Sequence, residues 1–527
     1  MIFLHGIYNG MKKSAANIFY TGNVKWILLA ILVLVFFARF WVCDDAYITF
    51  RSIENFIAGE GMRWNPHERV QSFTHPLWFF VLSFFRLFIS DIYIVALSAS
   101  IVCFAGLLFI IRKIFPKDAE FGWVLFLLIA CLRFIDYLGS GLENTLSFVL
   151  IAMFFLKFFS GERNSRHLLA IYFILSLAML NRMDLMLILA PAALLRTYEL
   201  RNEIKLIRII KLGISGFSPF IIWSLFSIAY YGFLFPNTAY AKLNLGLSHI
   251  ELLERGWDYY QRSLADPIML TVILTMVCLT FISKKREFIA PAVGIILYLF
   301  YIAWIGGDFM LNRFLTAPYL ASIIILVKNP SGISFGNQKK TFACVAVIVL
   351  SLVGSASFRA DADINYDGNN MGIANERMFY KDQTNLAAFR KYKKHRQSVF
   401  PNAKWSHVGK NLENVSIQRD IGFMGYNAAT DKIIIDRLAL TDPFLARLPV
   451  ISSDQRIGHF IRIIPTGYID SVRSGENMIE NKNLAEYYDK IKIITQNPVF
   501  GSAERWKTIF LMNIGKYNYL LKGIKSW

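Results

Sequence analysis

Cys43-Asp44-Asp45-Ala46-Tyr47-Ile48-Thr49-Phe50-Arg51 is the stretch on which the reading of this chain turns. An apolar run, Val24 to Trp41, leads straight into the two adjacent acids. Hydrophilic sequence follows, as Glu60-Gly61-Met62-Arg63-Trp64-Asn65-Pro66, Glu68-Arg69-Val70 and Phe73-Thr74-His75-Pro76-Leu77-Trp78. After that the sequence returns to hydrocarbon. Neighbouring carboxylates repel each other and lose hydration at the mouth of a membrane helix, so the pair carries a free-energy cost. A functional edge would explain that cost; an acidic helix end in headgroup solvent is the plainer alternative.

Bulk composition fits a multi-pass helical membrane protein. Of 527 residues, 55% are hydrophobic, 15% aromatic and 18% charged, with a mean hydropathy of +0.43; soluble domains carry about 25% charge. Runs of about 15 to 20 apolar residues alternate with short charged clusters, as expected of membrane helices. The net charge of +19 does not imply a nucleic-acid partner, because the basic residues sit in short loops and form no stripe with interleaved aromatics. Lys12, Lys13 and Lys25 precede a first apolar run with no small-residue cleavage site, which predicts a retained helix with a cytoplasmic N-terminus. The five cysteines (Cys43, Cys103, Cys131, Cys278, Cys344) are scattered, with no zinc spacing.

Spans are expected at about 24–41, 92–111, 121–136, 145–159, 167–181, 184–195, 212–231, 267–283, 288–305, 314–328 and 341–356. Leu77 to Ile89 is apolar but short and carries Arg86. Placing it in the interface puts every basic loop on one side, as the positive-inside rule requires, and leaves about eleven crossings. The opposite face then receives Asp44 and Asp45, Ser140-Gly141-Leu142-Glu143-Asn144, Asn181-Arg182-Met183-Asp184, Pro236-Asn237-Thr238 with Lys242, and Gly306-Gly307-Asp308 with Arg313. The runs at 167–181 and 184–195 are short for a bilayer of about 30 Å. Asn-Arg-Met-Asp between them survives at membrane depth only in an enclosed or wet cavity, so Arg182 and Asp184 are expected to line one, either as site residues or as an ion pair fixing the break. The expected division is a membrane domain, 1–356, and an extracytoplasmic soluble domain, 357–527, of mixed α/β or β-rich structure.

These motifs, in this order, resemble the GT-C fold of polyprenyl-phosphate-dependent glycosyltransferases. The likeness is closest to the AftB-like group, similar to the mycobacterial terminal arabinofuranosyltransferases. It rests on Asp44 to Arg51, Trp64-Asn65-Pro66, Glu68-Arg69-Val70, Thr74 to Trp78, Ser140 to Glu143 and Arg182-Met183-Asp184. Tyr231-Gly232 through Pro236-Asn237-Thr238 to Lys242, Gly306 to Phe309 with Arg313, Leu440-Thr441-Asp442-Pro443, Leu445-Ala446-Arg447 and Gly458-His459-Phe460-Ile461-Arg462 extend it over nearly the whole chain. His75 and Met183 depart from the group, where Asn or Ser, and Pro, are usual.

The resemblance implies a multi-pass protein of the bacterial inner membrane whose site and C-terminal domain face the periplasm or exterior. It would move a pentofuranose, arabinofuranose first, from a polyprenyl-phosphate donor to a hydroxyl of a glycan or glycoprotein. Such a transfer needs a base for the hydroxyl proton and charge to receive the departing phosphate. Either Asp44 or Asp45 suits the base, the other orienting the acceptor or holding a metal. A divalent cation, Mg2+ or Mn2+, if one is used, would take oxygens of Asp45 and Glu143; a helix-start role would explain Glu143 without one. Lys242 and Arg313 are candidates for the lipid phosphate, with anchoring to ordinary anionic lipids as the alternative. His75 and Asp308 are placed with the substrate site. Trp64, Asp442, His459 and Arg462 are candidates for acceptor or glycan contact, against interfacial anchoring for Trp64 and a structural turn for Asp442. A transporter or flippase of lipid-linked sugars is the rival class, disfavoured by one-sided polar motifs and the lack of repeated halves. The same fold acting on another sugar, or on a pilin-like protein acceptor, is the third reading.

Overall fold

The computed structural model describes residues 23–243, 246–329, 372–395, 404–452 and 455–524. The expected span at 341–356 lies outside them. The first apolar run forms helix α1 (Val24–Arg39), and Phe40 then leaves it in extended conformation. Trp41 and Cys43 donate their N–H groups to Gly139 and Ser140 carbonyls at 3.1 and 3.0 Å. With Cys43 extended, a new helix α2 (Asp44–Ile57) begins on the two acids, turned 77° from α1. Carboxylates in a first turn face unpaired N–H groups and the positive end of the helix dipole. The acid pair therefore opens a helix.

Helix α3 (Pro76–Arg86) has proline in its first turn. Both its ends are tied to α2. His75 meets Thr49 at 3.0 Å, and Arg86 pairs with Glu54 at 2.8 Å. Phe80, Phe84, Leu87 and Phe88 stay exposed on its outer side. Those ties keep α3 beside α2.

The bundle continues with α4 (Ile92–Ile114), α5 (Asp118–Ala130), α6 (Leu132–Leu138), α7 (Asn144–Phe158), α8 (Ser165–Asn181), α9 (Leu185–Leu200), α10 (Leu206–Gly216) and α11 (Ser218–Tyr231). Then come α12 (Asn237–Leu243), α13 (His249–Ser263), α14 (Ile268–Ser283), α15 (Arg286–Trp304) and α16 (Thr316–Lys328). Among the described residues, α4 and α15 alone are each long and apolar enough to cross a membrane; four bent pairs bring the possible total to six. The bends are abrupt: 87° between α5 and α6, 57° between α10 and α11, and 104° between α13 and α14. Helix α16 is buried along nearly its whole length and is packed by α5, α7, α14 and α15. Gly294 lets α15 press on the backbone of α9, where a Cβ would overlap the Ile188 carbonyl; small residues serve this purpose between membrane helices.

The C-terminal region is mainly helical: α17 (Glu376–Thr384), α18 (Leu386–His395), α19 (Lys404–Lys410), α20 (Phe423–Asn427), α21 (Tyr468–Ser474), α22 (Lys482–Gln496) and α23 (Ala503–Asn513). Strands β1 (Val415–Gln418) and β2 (Ile433–Asp436) pair in parallel, Val415 opposite Ile433. No other named strand occurs among the described residues, so the β-rich alternative for this region is corrected. The Ile433-Ile434-Ile435 run is too short to seed a larger sheet, and Asp436 ends it by accepting the N–H groups of Leu438 and Thr441. The region also locks onto the bundle. Arg377 pairs with Asp136 at 3.2 Å, and Phe389 stacks on Tyr93 at 4.5 Å.

Candidate active site

The site forms where the start of α2 meets the C-terminal region. Asp44 Oδ1 accepts the Phe423 N–H at 2.8 Å. Gly422 packs so tightly that a Cβ there would overlap the Asp44 carboxylate. Burial, offset by that backbone N–H and reinforced by Asp45, pushes the Asp44 carboxyl up to about 7. Asp44 is thus held by backbone.

Asp45 differs. Like Asp44 it is half-buried, but among the described residues no side-chain hydrogen bond engages it. Burial raises its carboxyl above the usual range, against the pull of Lys242, Arg313 and Arg456 and with a push from Asp308. Its carboxylate therefore lies in the field of a ring of cations.

The ring is built from several elements. Lys242 comes from α12, and a Cβ at Gly458 would lie 3.6 Å from its Nζ. Arg456 bonds His459 Nε2 at 2.7 Å and stands 3.6 Å from Glu376. Phe309 meets His459 edge-on at 4.5 Å. Arg313 reaches Asp308 at 3.6 Å and Glu143 at 3.9 Å. Arg313 Nε and Asp308 Oδ2 are buried without a hydrogen-bond partner.

Glu143 closes the inner wall. Burial alone would raise its carboxyl, but His75, Arg313 and Arg182 outweigh it and hold it below the ordinary value. Arg182 lies 3.9 Å away and His75 3.5 Å away. Burial lowers the pKa of His75, against the pull of Glu143, and its Nε2 lies 3.0 Å from the Thr49 hydroxyl. The helix break is fixed by Arg182 donating to Asp184 at 2.5 Å and to the Tyr298 hydroxyl at 2.9 Å. Arg182 Nη1 remains buried without a partner.

The structure thus gathers Asp44, Asp45, His75, Glu143, Lys242, Asp308, Arg313 and His459 around one region, with Arg182 and Asp184 behind it. It places three other candidates in the interior. Trp64 is fully buried beneath the Arg51 guanidinium, 4.8 Å from its ring. Asp442 caps its own turn, accepting from Phe444 N and Leu445 N at 3.0 and 2.8 Å and from the Tyr468 hydroxyl at 2.7 Å. Arg462 is fully buried and donates to the Leu448 carbonyl at 2.6 Å and to that of Ala241.

Two residues escaped the sequence reading. Glu376 and Arg456 stand beside the acids, and burial, against Arg456 and with Asp45 and Asp44, raises Glu376 to about 8. Arg456 lies two residues before the quoted Gly458-His459 motif, which is a usable signal; Glu376 had none. Among the described residues, no three acid, histidine or cysteine side chains converge to hold a metal ion. Asp45 and Glu143, the candidate ligands, each face cations instead. The donor set does not fit a resident metal.

No family model matches the chain, and no solved structure matches it. Two curated proteins are similar, both named terminal beta-(1->2)-arabinofuranosyltransferase. The Mycobacterium tuberculosis protein is 23% identical over 429 residues, covering 69% of this chain and 66% of the relative. The Corynebacterium glutamicum protein is 23% identical over 398 residues, covering 66% of this chain and 56% of the relative. The matches thus span a little under two thirds and somewhat over half of those relatives' lengths. Their name is that of the group the sequence motifs resemble.

Proposed function

We propose that the chain is a membrane glycosyltransferase that moves an arabinofuranosyl unit from a polyprenyl-phosphate donor to a hydroxyl of an extracytoplasmic glycan. The observation that carries this reading is the half-buried Asp45, which no side-chain hydrogen bond engages among the described residues and whose carboxyl feels the pull of Lys242, Arg313 and Arg456. The names of the two relatives support the sugar. The site belongs on the periplasmic or outer face of the inner membrane, in keeping with the basic loops on the other side.

In this mechanism Asp45 takes the proton of the acceptor hydroxyl, and the freed oxygen bonds to the anomeric carbon. The bond from that carbon to the lipid phosphate breaks, and the phosphate leaves with its electron pair. Lys242 and Arg313 receive the new charge, Arg313 through N–H groups suited to paired phosphate oxygens. Asp44 does not touch the reacting atoms; it fixes Gly422 and Phe423 against α2 and so sets the wall beside Asp45. No step is routed through a metal.

The test is transfer from synthetic polyprenyl-phosphate arabinofuranose to a short glycan by purified protein, alongside Asp45→Asn and Asp44→Asn. Loss of a general base costs about 10²- to 10⁴-fold, and Asp45→Asn is expected in that range while still folding. Asp44→Asn keeps an acceptor for Phe423 N and should lose far less. Equal activity in wild type and Asp45→Asn would reject the assignment. Absence of turnover with any lipid-linked sugar, together with movement of such lipids across liposomes, would favour a flippase.

A further inference from the structure

We infer that α23 is a membrane-docking helix whose outer face enters the headgroup region of the leaflet on the site's side. This helix is bolted to the end of α11. Arg505 donates to the Tyr230 carbonyl at 3.0 Å and Asn513 to that of Gly232 at 2.8 Å, while Ile509 packs against Gly232. Its buried positions, Arg505, Thr508, Ile509 and Met512, form the face turned to the protein.

The opposite face is apolar and aromatic. Trp506, Phe510 and Ile514 follow one another at four-residue spacing along it, Phe510 being 63% and Ile514 59% exposed. Phe500, 80% exposed, precedes the helix. A row of this kind in water would be an anomaly. Ile222 and Leu225 on α11, and Leu234 and Phe235 in the turn that follows it, are exposed as well. Exposed Lys507 and Lys516 flank the row in sequence, with Glu504 exposed at the start of the helix; the lysines suit anionic headgroups. Because α23 is fixed to the end of a membrane helix, its apolar face sits at the depth where aromatic side chains and lysines anchor. The occupant is therefore lipid. This inference does not depend on the sugar-transfer reading.

The experiment uses the full chain in nanodiscs of anionic and zwitterionic lipid, with Cys278 and Cys344 replaced by serine. A fluorophore is attached at Phe510→Cys and, as a control, at Asp489→Cys, a site that is not part of the apolar face. Lipids brominated on their acyl chains should quench the label at 510 by at least half and leave the control unchanged. A label at 510 quenched by aqueous iodide and not by brominated lipid would overturn the proposal. So would protection from both quenchers with crosslinking between two copies, since another protein would then be the occupant. Trp506→Cys, labelled in the same way, repeats the measurement should the first variant fold poorly.

Discussion

At the scale of single residues, the two adjacent acids take different work from their surroundings. Asp44 meets backbone and is pushed up to about 7, mainly by burial; Asp45 meets cations. A base must be ionised, so transfer should fall as pH drops through the raised pKa of Asp45. Arg456 is one of the cations that pull the Asp45 carboxyl down. Arg456→Gln removes that pull, so the acid limb of the kcat/KM profile should move to higher pH; an unmoved limb would mean that Asp45 is not the base. Transfer in chelator should stay within about twofold of the untreated rate, as fits a site with no converging ligand set among the described residues. Loss of activity restored by added Mg2+ would return Asp45 to the ligand role. The residues near the acids were legible where they lay in compact polar motifs between apolar runs, as Lys242, Asp308 and Arg313 do. Glu376 was not, because only tertiary folding brings it to Asp45, across more than three hundred residues of chain. The interior positions of Trp64 and Arg462 were not legible for a related reason: an aromatic or a guanidinium in a motif looks alike in sequence whether it meets a ligand or a backbone carbonyl.

At the scale of elements, apolar runs located ten helical regions but not their bends. Hydropathy registers the removal of a segment from water and says nothing of its direction. The run at 121–136 therefore read as one span although it turns by 87° at Cys131, and 212–231 hid the 57° turn near Phe217. The start of α2 was hidden likewise, since Asp-Asp after a hydrophobic run looks like the entry to a loop. What makes it a helix start is the extended Cys43 held by Ser140, a long-range contact. The other constraint on this helix is Gly422, which lets α20 approach the first turn of α2. Gly422→Ala would force a methyl group into the Asp44 carboxylate. Overpacking of this kind costs about 1–3 kcal/mol, and it should also displace the wall beside Asp45. Thermal unfolding in detergent and the transfer rate should both fall, with kcat affected more than KM for the donor. A variant that unfolds earlier yet transfers normally would separate the packing of α20 from the chemistry.

At the scale of the whole molecule, the C-terminal region and the bundle are joined by buried charge as well as by apolar contact. Asp136 on α6 receives Arg39 at 2.6 Å, Arg377 at 3.2 Å and Arg133 at 3.6 Å. Arg133 in turn holds Asp266 at 2.7 Å. Three separate stretches of chain, α1, α6 and α17, thus meet on one carboxylate, and the α13–α14 turn joins them through Arg133. A buried ion network adds little net stability compared with a well-packed apolar core, but removing one partner strands the others. Asp136→Asn keeps the shape and deletes the charge, leaving Arg39 and Arg377 without their carboxylate while Arg133 keeps Asp266. The loss should be about 3–5 kcal/mol, the range for breaking a buried pair. Because Arg377 is one of the ties that hold α17 and α18 to the bundle, the loss should not be confined to α6. The variant should melt earlier by scanning fluorimetry and become open to protease in the 376–395 stretch at temperatures where the wild type resists. Earlier melting without new cleavage there would assign the network to the bundle alone. Unchanged melting would mean that the apolar seam of Tyr93 on Phe389 and Tyr47 on Phe423 carries the junction.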